Sequence, residues 1–259
     1  MRQTTRVVIF LSLLIGSASA NAVSQELADW SGPYVGINAS ISAANAAIGS
    51  STTDGFPGSY FTPPDPDQIG STMAGVLGTS RVAPGLFAGY GYQVDSLYFG
   101  IEGGFSSLGF EGTRSVSADY ISNPTGRFTN TVSARADWQA SIRARLGWAH
   151  EQWLGYVTAG PAFSSVNIIA SFSDDFVGAG AFGTASKEQV RTGLALGAGA
   201  EINLGKGWAL RGEYLYSNFG SLSSSMSISN PAFPALGNTL DSSVHLKTHS
   251  VSLGLSYRF

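Results

Sequence analysis

The sequence predicts an all-β chain, an eight-stranded antiparallel transmembrane β-barrel with long extracellular loops and short periplasmic turns. Three observations carry the prediction. Apolar and polar residues alternate with period 2 along several long segments. The connections between those segments alternate in length, short then long, as they do in membrane barrels. Only 12% of the residues are charged, about half the ~25% of a soluble domain, while the chain carries 33 Gly and 12% aromatics.

Composition also excludes several classes. There is too much aliphatic and aromatic surface for a disordered chain. A net charge of −3 argues against nucleic-acid binding. The absence of Cys removes disulfide frameworks, thiolate metal sites and Cys nucleophiles. Residues 1–20 read as a signal peptide. Arg2 and Arg6 form a basic start, Val7 to Ile15 an apolar run too short to span a bilayer, and Ala18-Ser19-Ala20 a cleavage site. Loss of those two arginines would leave 12 basic against 17 acidic residues, a net charge of −5. Residues 21–259 are then one barrel domain. No later stretch is apolar enough for a membrane helix, so insertion must be by strands.

The strands follow in order. Segments 33–42 and 85–94 are the first two. Residues 96–110 set Leu97, Phe99, Ile101 and Phe105 against Tyr98, Gly100, Glu102 and Gly104. The segment Asp137 to Trp148 is the clearest, with Trp138, Ile142 and Leu146 opposite Ser141, Arg143 and Arg145. Strand 153–166 has blurred alternation, and its facing is open. Residues 189–204 alternate Val190, Leu194 and Leu196 with Arg191, Gly197 and Glu201; 207–217 and 248–259 complete the set. Short turns fall at 95–96, 150–152 and 205–207. The other connections, 43–84, 111–135, 168–187 and 218–246, are rich in Ser, Gly, Pro, Asn and Asp and read as loops.

Register supports closure. Around Asp95-Ser96, Val94 opposes Leu97, Tyr92 opposes Phe99 and Leu86 opposes Phe105. Around 205–207, Leu204 opposes Trp208, Ile202 opposes Leu210, and Glu201 opposes Arg211, an opposite-charge pair. A lipid-facing Arg costs roughly 2–4 kcal/mol at the midplane. The charged face is therefore the lumen. It carries Glu102, Asp137, Arg143, Arg145, Arg191, Glu201, Arg211, Glu213 and Arg258, expected to form an ion-pair network that fills a narrow lumen. Aromatics near the strand ends, among them Trp148, Trp153, Trp208 and Tyr214, match interfacial girdles.

Four stretches then resemble a known family. Trp30-Ser31-Gly32-Pro33-Tyr34-Val35-Gly36 is similar to a W-x-G-x-Y-x-G opening, and Gly89-Tyr90-Gly91-Tyr92 to a second-strand motif. Glu213-Tyr214-Leu215-Tyr216 running to Gly220, and His249-Ser250-Val251 running to Tyr257-Arg258-Phe259, match later strands. The chain resembles the small Gram-negative outer-membrane barrels of the outer-membrane immunogenic protein, or porin-family, type, OmpA-like in architecture. The resemblance implies the cell outer membrane as location. It implies outer-membrane lipid and lipopolysaccharide as surroundings, and the barrel-assembly machinery as a partner reading the end of the chain: Leu255, Tyr257 and Phe259.

Sites for chemistry are sparse. Gly178 to Gly183 matches G-x-G-x-x-G but has no βαβ context. His245 and His249 lie about 13 Å apart on one strand face, too far for one metal. His150 falls in a turn. Asp65, Asp67, Asp174 and Asp175 read as solvated loop acids. Rim enzymes need Ser and His on one lipid-accessible face. Ser250 points away from His249, and no G-x-S-x-G elbow occurs. No catalytic residue, metal or cofactor is expected, and no enzyme. The expected role is a surface protein with a structural, envelope-integrity function and loops that meet an extracellular ligand. Two alternatives stand beside it: a narrow porin for small solutes, and a haemin or host-ligand receptor with His245 in a loop.

Overall fold

The computed structural model describes residues 28–259 except 54, 56 and 57; the expected signal peptide lies outside the described residues. Eight strands run β1 Gly32–Thr52, β2 Gly75–Val94, β3 Leu97–Asp119, β4 Arg127–His150, β5 Trp153–Asp174, β6 Phe182–Gly205, β7 Trp208–Ser229 and β8 Gly237–Arg258. Neighbours pair antiparallel in sequence order, and β1 pairs β8 to close the ring. One short helix, α1, spans Asp65–Met73 between β1 and β2.

The strands are longer than the sequence alternation suggested. A strand of about 22 residues, rising ~3.3 Å each and tilted ~40°, stands about 55 Å tall. That is twice the ~25 Å apolar band of a membrane barrel. The segments 43–84, 111–135, 168–187 and 218–246, expected as loops, are therefore mostly strand. Of the described residues in those segments, only the ones within 53–74, 120–126, 175–181 and 230–236 lie outside strands, and the first of these stretches holds α1.

The two halves of the barrel have opposite polarity. In the lower half, Ile37, Leu86, Tyr90, Phe99, Ile101, Ile142, Leu146, Leu196, Leu210 and Leu253 point outward and are exposed. Glu102, Ser141, Arg143, Arg145, Glu201, Arg211 and Ser252 are buried inside. This is the pattern lipid imposes. In the upper half the inside is apolar. Ile48, Phe110, Phe128, Val132, Ile168, Phe172, Leu222, Met226, Ile228, Leu240 and Val244 form one buried cluster with Ile69 and Met73 of α1. The outer face there is polar, with side-chain hydrogen bonds such as Ser115–Thr131 and Ser117–Thr129 running along it.

Bulges make the switch. Inward residues on β4 are Gln139, Ser141 and Arg143 below and Val132, Ala134 and Ala136 above, a one-residue change of phase. A register shift lies between Arg135 and Ala140. On β7 the inward set changes from Arg211, Glu213 and Ser217 to Leu222, Ser224, Met226 and Ile228. The shift there falls between Asn218 and Ser221, at Gly220 with φ +69°. Glycine takes this left-handed conformation without a Cβ clash.

The hydrogen-bonded ring is complete only in the lower half. The β2–β3 ladder runs from Gly85↔Ser106 down to Val94↔Leu97 and not above. Between β6 and β7 it runs from Leu194↔Asn218 downward, with one isolated pair, Phe182↔Ser229, at the top. The seams lie four strands apart. They divide the upper half into two four-stranded sheets, β7-β8-β1-β2 and β3-β4-β5-β6, facing each other across the apolar cluster like a sandwich. Side chains cross the seams where the ladders stop. Arg114 donates to the carbonyls of Met73 (3.0 Å) and Thr72 (3.1 Å) at the end of α1, and Lys187 donates to Ser223 O (3.0 Å).

Register agrees with expectation at Val94↔Leu97, Tyr92↔Phe99, Leu86↔Phe105, Ile202↔Leu210 and Glu201↔Arg211. It differs at Leu204, expected opposite Trp208. A bulge between Asn203 and Gly205 places Gly205 there instead. Gly205, Lys206 and Gly207 all have positive φ, so the turn consumes the extra residue. The open question of β5 is resolved: Leu154, Tyr156 and Thr158 face in and Val157 faces out. Its alternation is blurred because Tyr156 lies inside while Gly155, Ala159 and Pro161 lie outside.

Candidate functional site

The most concentrated chemistry lies inside the lower half. Four strands, β3 and β4 from one side of the ring and β6 and β7 from the other, send charged side chains to its middle. Glu102 of β3 is the hub. Arg211 reaches it as a fork, Nη1 to Oε2 at 2.6 Å and Nη2 to Oε1 at 2.9 Å. Arg143 Nη2 donates to Oε1 at 2.6 Å, and Arg145 Nη1 to Oε2 at 3.2 Å. Arg143 Nη1 also donates to Glu213 Oε1 at 2.9 Å, and Arg211 Nη2 to Glu213 Oε2. Arg145 Nη2 donates to Glu201 Oε1. Three guanidinium groups meet three carboxylates, so the ring is neutral as a whole, and all six side chains are buried.

Tyrosines complete it. Tyr34 OH donates to Glu102 Oε2 at 2.9 Å and accepts from Arg145 Nη1 at 2.8 Å. Tyr156 OH donates to Glu213 Oε2 at 2.8 Å. The guanidinium of Arg145 lies 3.7 Å from the centre of the Tyr156 ring, and that of Arg211 4.3 Å from the centre of Phe87. Such contacts strengthen when desolvated. Just above is a cavity of about 40 Å³ bordered by Ser40, Gln139, Ser141, Arg143, Arg211 and Ser252. It has room for about three waters at ~10–15 Å³ each. At the periplasmic end Trp30 is buried with Tyr98, Leu154 and Tyr156, an apolar patch under the ring.

The sequence-expected set divides. Glu102, Arg143, Arg145, Glu201, Arg211 and Glu213 come together. The expected Glu201–Arg211 ion pair does not form, although their Cα positions oppose each other. In a lumen this narrow long side chains cross it, so Arg145 takes Glu201 and Arg211 takes Glu102 and Glu213. Arg191 faces inward but lies ten residues above Glu201 on β6, where the ladder to β7 has ended, and makes no ion pair among the described residues. Arg258 ends β8 at the periplasmic mouth, donating to the carbonyls of Trp30 and Gly32 and stacking over Tyr34 at 4.8 Å. Asp137 is outside, paired with Arg135 at 2.8 Å on the exposed surface, because the β4 bulge turns it there. Leu255, Tyr257 and Phe259 face outward. Phe259 N donates to Pro33 O at 3.1 Å, and its ring meets Tyr257 edge-on at 5.1 Å.

Tyr34, Tyr156 and Phe87 escaped the sequence reading. Strand parity was the available signal for Tyr34 and Phe87, which share the inward phase of their strands; on β5 the alternation is too blurred to give it for Tyr156.

The upper tip holds a second cluster. Asp65 and Asp174, expected as solvated acids, are engaged. Asp65 accepts from Ser122 N and Oγ, and Asp174 Oδ2 from Tyr60 OH (3.0 Å) and Tyr120 OH (2.7 Å). Burial, with the Asp174 carboxylate beside them, pushes both phenols well above the usual tyrosine range, so they remain donors. A cleft of about 120 Å³ opens beside them, lined by Tyr60, Phe61, Asp65, Tyr120, Asn123 and Phe176. His245 is not in a loop; it sits on β8 and faces outward.

Comparison with known proteins places this geometry in context. The family model described as the outer membrane protein beta-barrel domain matches residues 8–259. The chain is 29% identical over 232 residues to the 31 kDa outer-membrane immunogenic protein of Brucella melitensis biotype 1, covering 89% of this chain and 84% of that protein. It is 29% identical over 156 residues to the 22 kDa outer membrane protein of Rhizobium leguminosarum bv. viciae, covering 59% of this chain and 61% of the other. Among solved structures it is similar to Ail, the attachment invasion locus protein of Yersinia pestis, at 18% identity and a TM-score of 0.36, covering 86% of this chain and 98% of that one.

Proposed function

The chain belongs to the outer membrane protein beta-barrel domain family, and on that footing we propose a surface protein whose lower half is a closed structural anchor and whose upper half carries its interactions. Its location is the outer membrane. The observation that supports a closed lumen is the neutral, buried ring around Glu102, backed by the Trp30 patch. A solute would have to part at least four charge-assisted contacts at Glu102 to pass, and such bonds are about twice as strong as neutral ones. The ring thus serves the envelope by holding the wall together and by denying a leak. Outer-membrane lipid and lipopolysaccharide are the surroundings of the apolar band.

Single-channel recording on refolded protein in planar bilayers tests this reading. No stepwise conductance is expected from the unmodified chain. Regular open steps would overturn the closed lumen and favour the narrow porin. The interaction role rests on the tip cleft, whose aromatic walls and polar rim suit an extracellular ligand. No described residue favours haemin over another ligand, because His245 is engaged by neighbouring side chains on the strand wall.

Assembly supplies another test. The outward strip Leu255, Tyr257 and Phe259 at the end of β8 suits recognition by the barrel-assembly machinery before the barrel closes. Deleting Phe259 should cut outer-membrane levels several-fold on immunoblots of membrane fractions. Phe182→Ala, an exposed aromatic at the top of β6, should leave them unchanged. Equal levels of the two variants would refute a terminal signal.

A further inference from the structure

The β7 bulge has a chemical result on the outside of the barrel. Gly220 N donates to Asn218 Oδ1 at 3.0 Å, which fixes the amide with its oxygen turned toward β8. His245 Nε2 lies 3.0 Å from that oxygen. An oxygen can only accept, so Nε2 carries the proton. His245 Nδ1 is then an unprotonated acceptor in the neutral ring. Ser221 Oγ lies 3.0 Å from it and must donate. Ser221, His245 and Asn218 thus form a nucleophile, a base and an orienting group in the order that acyl-transfer sites require, with the ring nitrogens exchanged relative to the serine protease arrangement.

The location gives the substrate class. Ser221 is exposed on the outer wall and not in the lumen. Two ladder steps below, His249 bonds Tyr214 OH at 2.8 Å and packs against the Tyr216 ring, tilted and 5.0 Å from it, an aromatic level that marks the headgroup boundary. Below that, Val251, Leu253 and Leu255 are the lipid face. Lys247, opposite Asn218, shares this outer face and makes no ion pair among the described residues. Ser221 stands about 10 Å above the aromatic level, four residues up a tilted strand, so with the Lys247 ammonium beside it the nucleophile faces the anionic polar layer of the outer leaflet, whose carboxylic esters link its acyl chains.

We propose that Ser221, His245 and Asn218 form an outward-facing esterase site for ester-linked acyl chains of outer-leaflet lipid. Ser221 Oγ attacks the ester carbonyl carbon while its proton passes to His245 Nδ1. The tetrahedral adduct collapses, the C–O bond to the alcohol breaks, and His245 returns the proton to the leaving alkoxide. Water then adds to the acyl-Ser221 carbonyl with His245 again taking the proton. The fatty acid departs and Ser221 is regenerated. Ester and water give acid and alcohol, with no other reactant. Asn218 is a positioning residue that holds the tautomer.

This site is independent of the closed lumen, and its test is separate. Refolded protein in micelles is treated with a fluorophosphonate probe, and the modified serine is located by peptide mass spectrometry. Label is expected on Ser221 and not on Ser223, an outward serine of the same strand without a histidine. His245→Ala should lower labelling about 10²-fold, the scale of a lost general base. Asn218→Ala should lower it less and shift its pH profile, while Ser223→Ala should have no effect. Heat-modifiable gel mobility verifies that each variant is folded. Incubation with glycerophospholipid vesicles or with lipopolysaccharide, read by fatty-acid release, tells which lipid carries the ester. Ser221 labelled no faster than Ser223, or unaffected by His245→Ala, would overturn the site. Label without release from either lipid would overturn the lipid assignment.

Discussion

Glu102→Ala is expected to lower the unfolding midpoint of the refolded barrel more than loss of any other carboxylate. It strips acceptors from Arg143, Arg145 and Arg211 together and leaves buried guanidinium charge uncompensated. Breaking a buried pair in this way costs roughly 3–5 kcal/mol. Glu188→Ala, on the exposed outer wall of β6, should change the midpoint little. The pairing itself can be read from coupling. Glu201→Ala and Arg145→Ala should be strongly non-additive, and Glu201→Ala and Arg211→Ala more nearly additive. Denaturant titration followed by tryptophan fluorescence measures both. Stronger coupling of Glu201 to Arg211 would restore the simple cross-strand pair. A Glu102 variant as stable as the parent would mean that the ring contributes no net stability.

Deleting Gly220 should have an effect of comparable size but confined to the upper half. Removal of one residue reverses the facing of everything beyond it on the strand. Leu222, Met226 and Ile228 would turn to water and Ser221, Ser223 and Ser225 into the apolar cluster. Burying those hydroxyls unpaired and exposing three large side chains each cost on the order of several kcal/mol. The lower half keeps its register and should still insert. The expected result is a membrane-inserted protein whose upper half is cut by added protease on intact cells, while the parent resists. Equal resistance would show that the bulge does not set the facing.

The lower half of the fold was legible because lipid enforces a strict rule. Leu97, Phe99 and Ile101 on one face and Glu102 on the other admit one orientation. The upper half obeys the opposite rule with weaker residues. In 127–136, Phe128, Val132, Ala134 and Ala136 alternate with Thr129, Thr131, Ser133 and Arg135, a strand pattern that reads as loop because its outward face is Ser and Thr. The change of phase at Gly220 hides continuity further. Helix α1 was invisible: it is short, contains Gly70, and is held by packing of Ile69 and Met73 rather than by propensity. Among the site residues, sign and parity found the six ring charges, but partner choice depends on side chains crossing the lumen. Ser221 and His245 looked unrelated because 24 residues and an unrecognised hairpin separate them.

The strand-built upper half changes what an antibody would meet. The exposed surface presented outside the cell is a pleated wall of Ser, Thr and charged side chains, contributed by neighbouring strands distant in sequence. Short linear peptides from 111–135 or 218–246 will not reproduce it, whereas folded barrel will. Epitopes of this chain should be conformational and lost on boiling. A foreign segment intended for display belongs in 120–126 or 230–236, the ends of two hairpins, rather than anywhere along the former loop intervals.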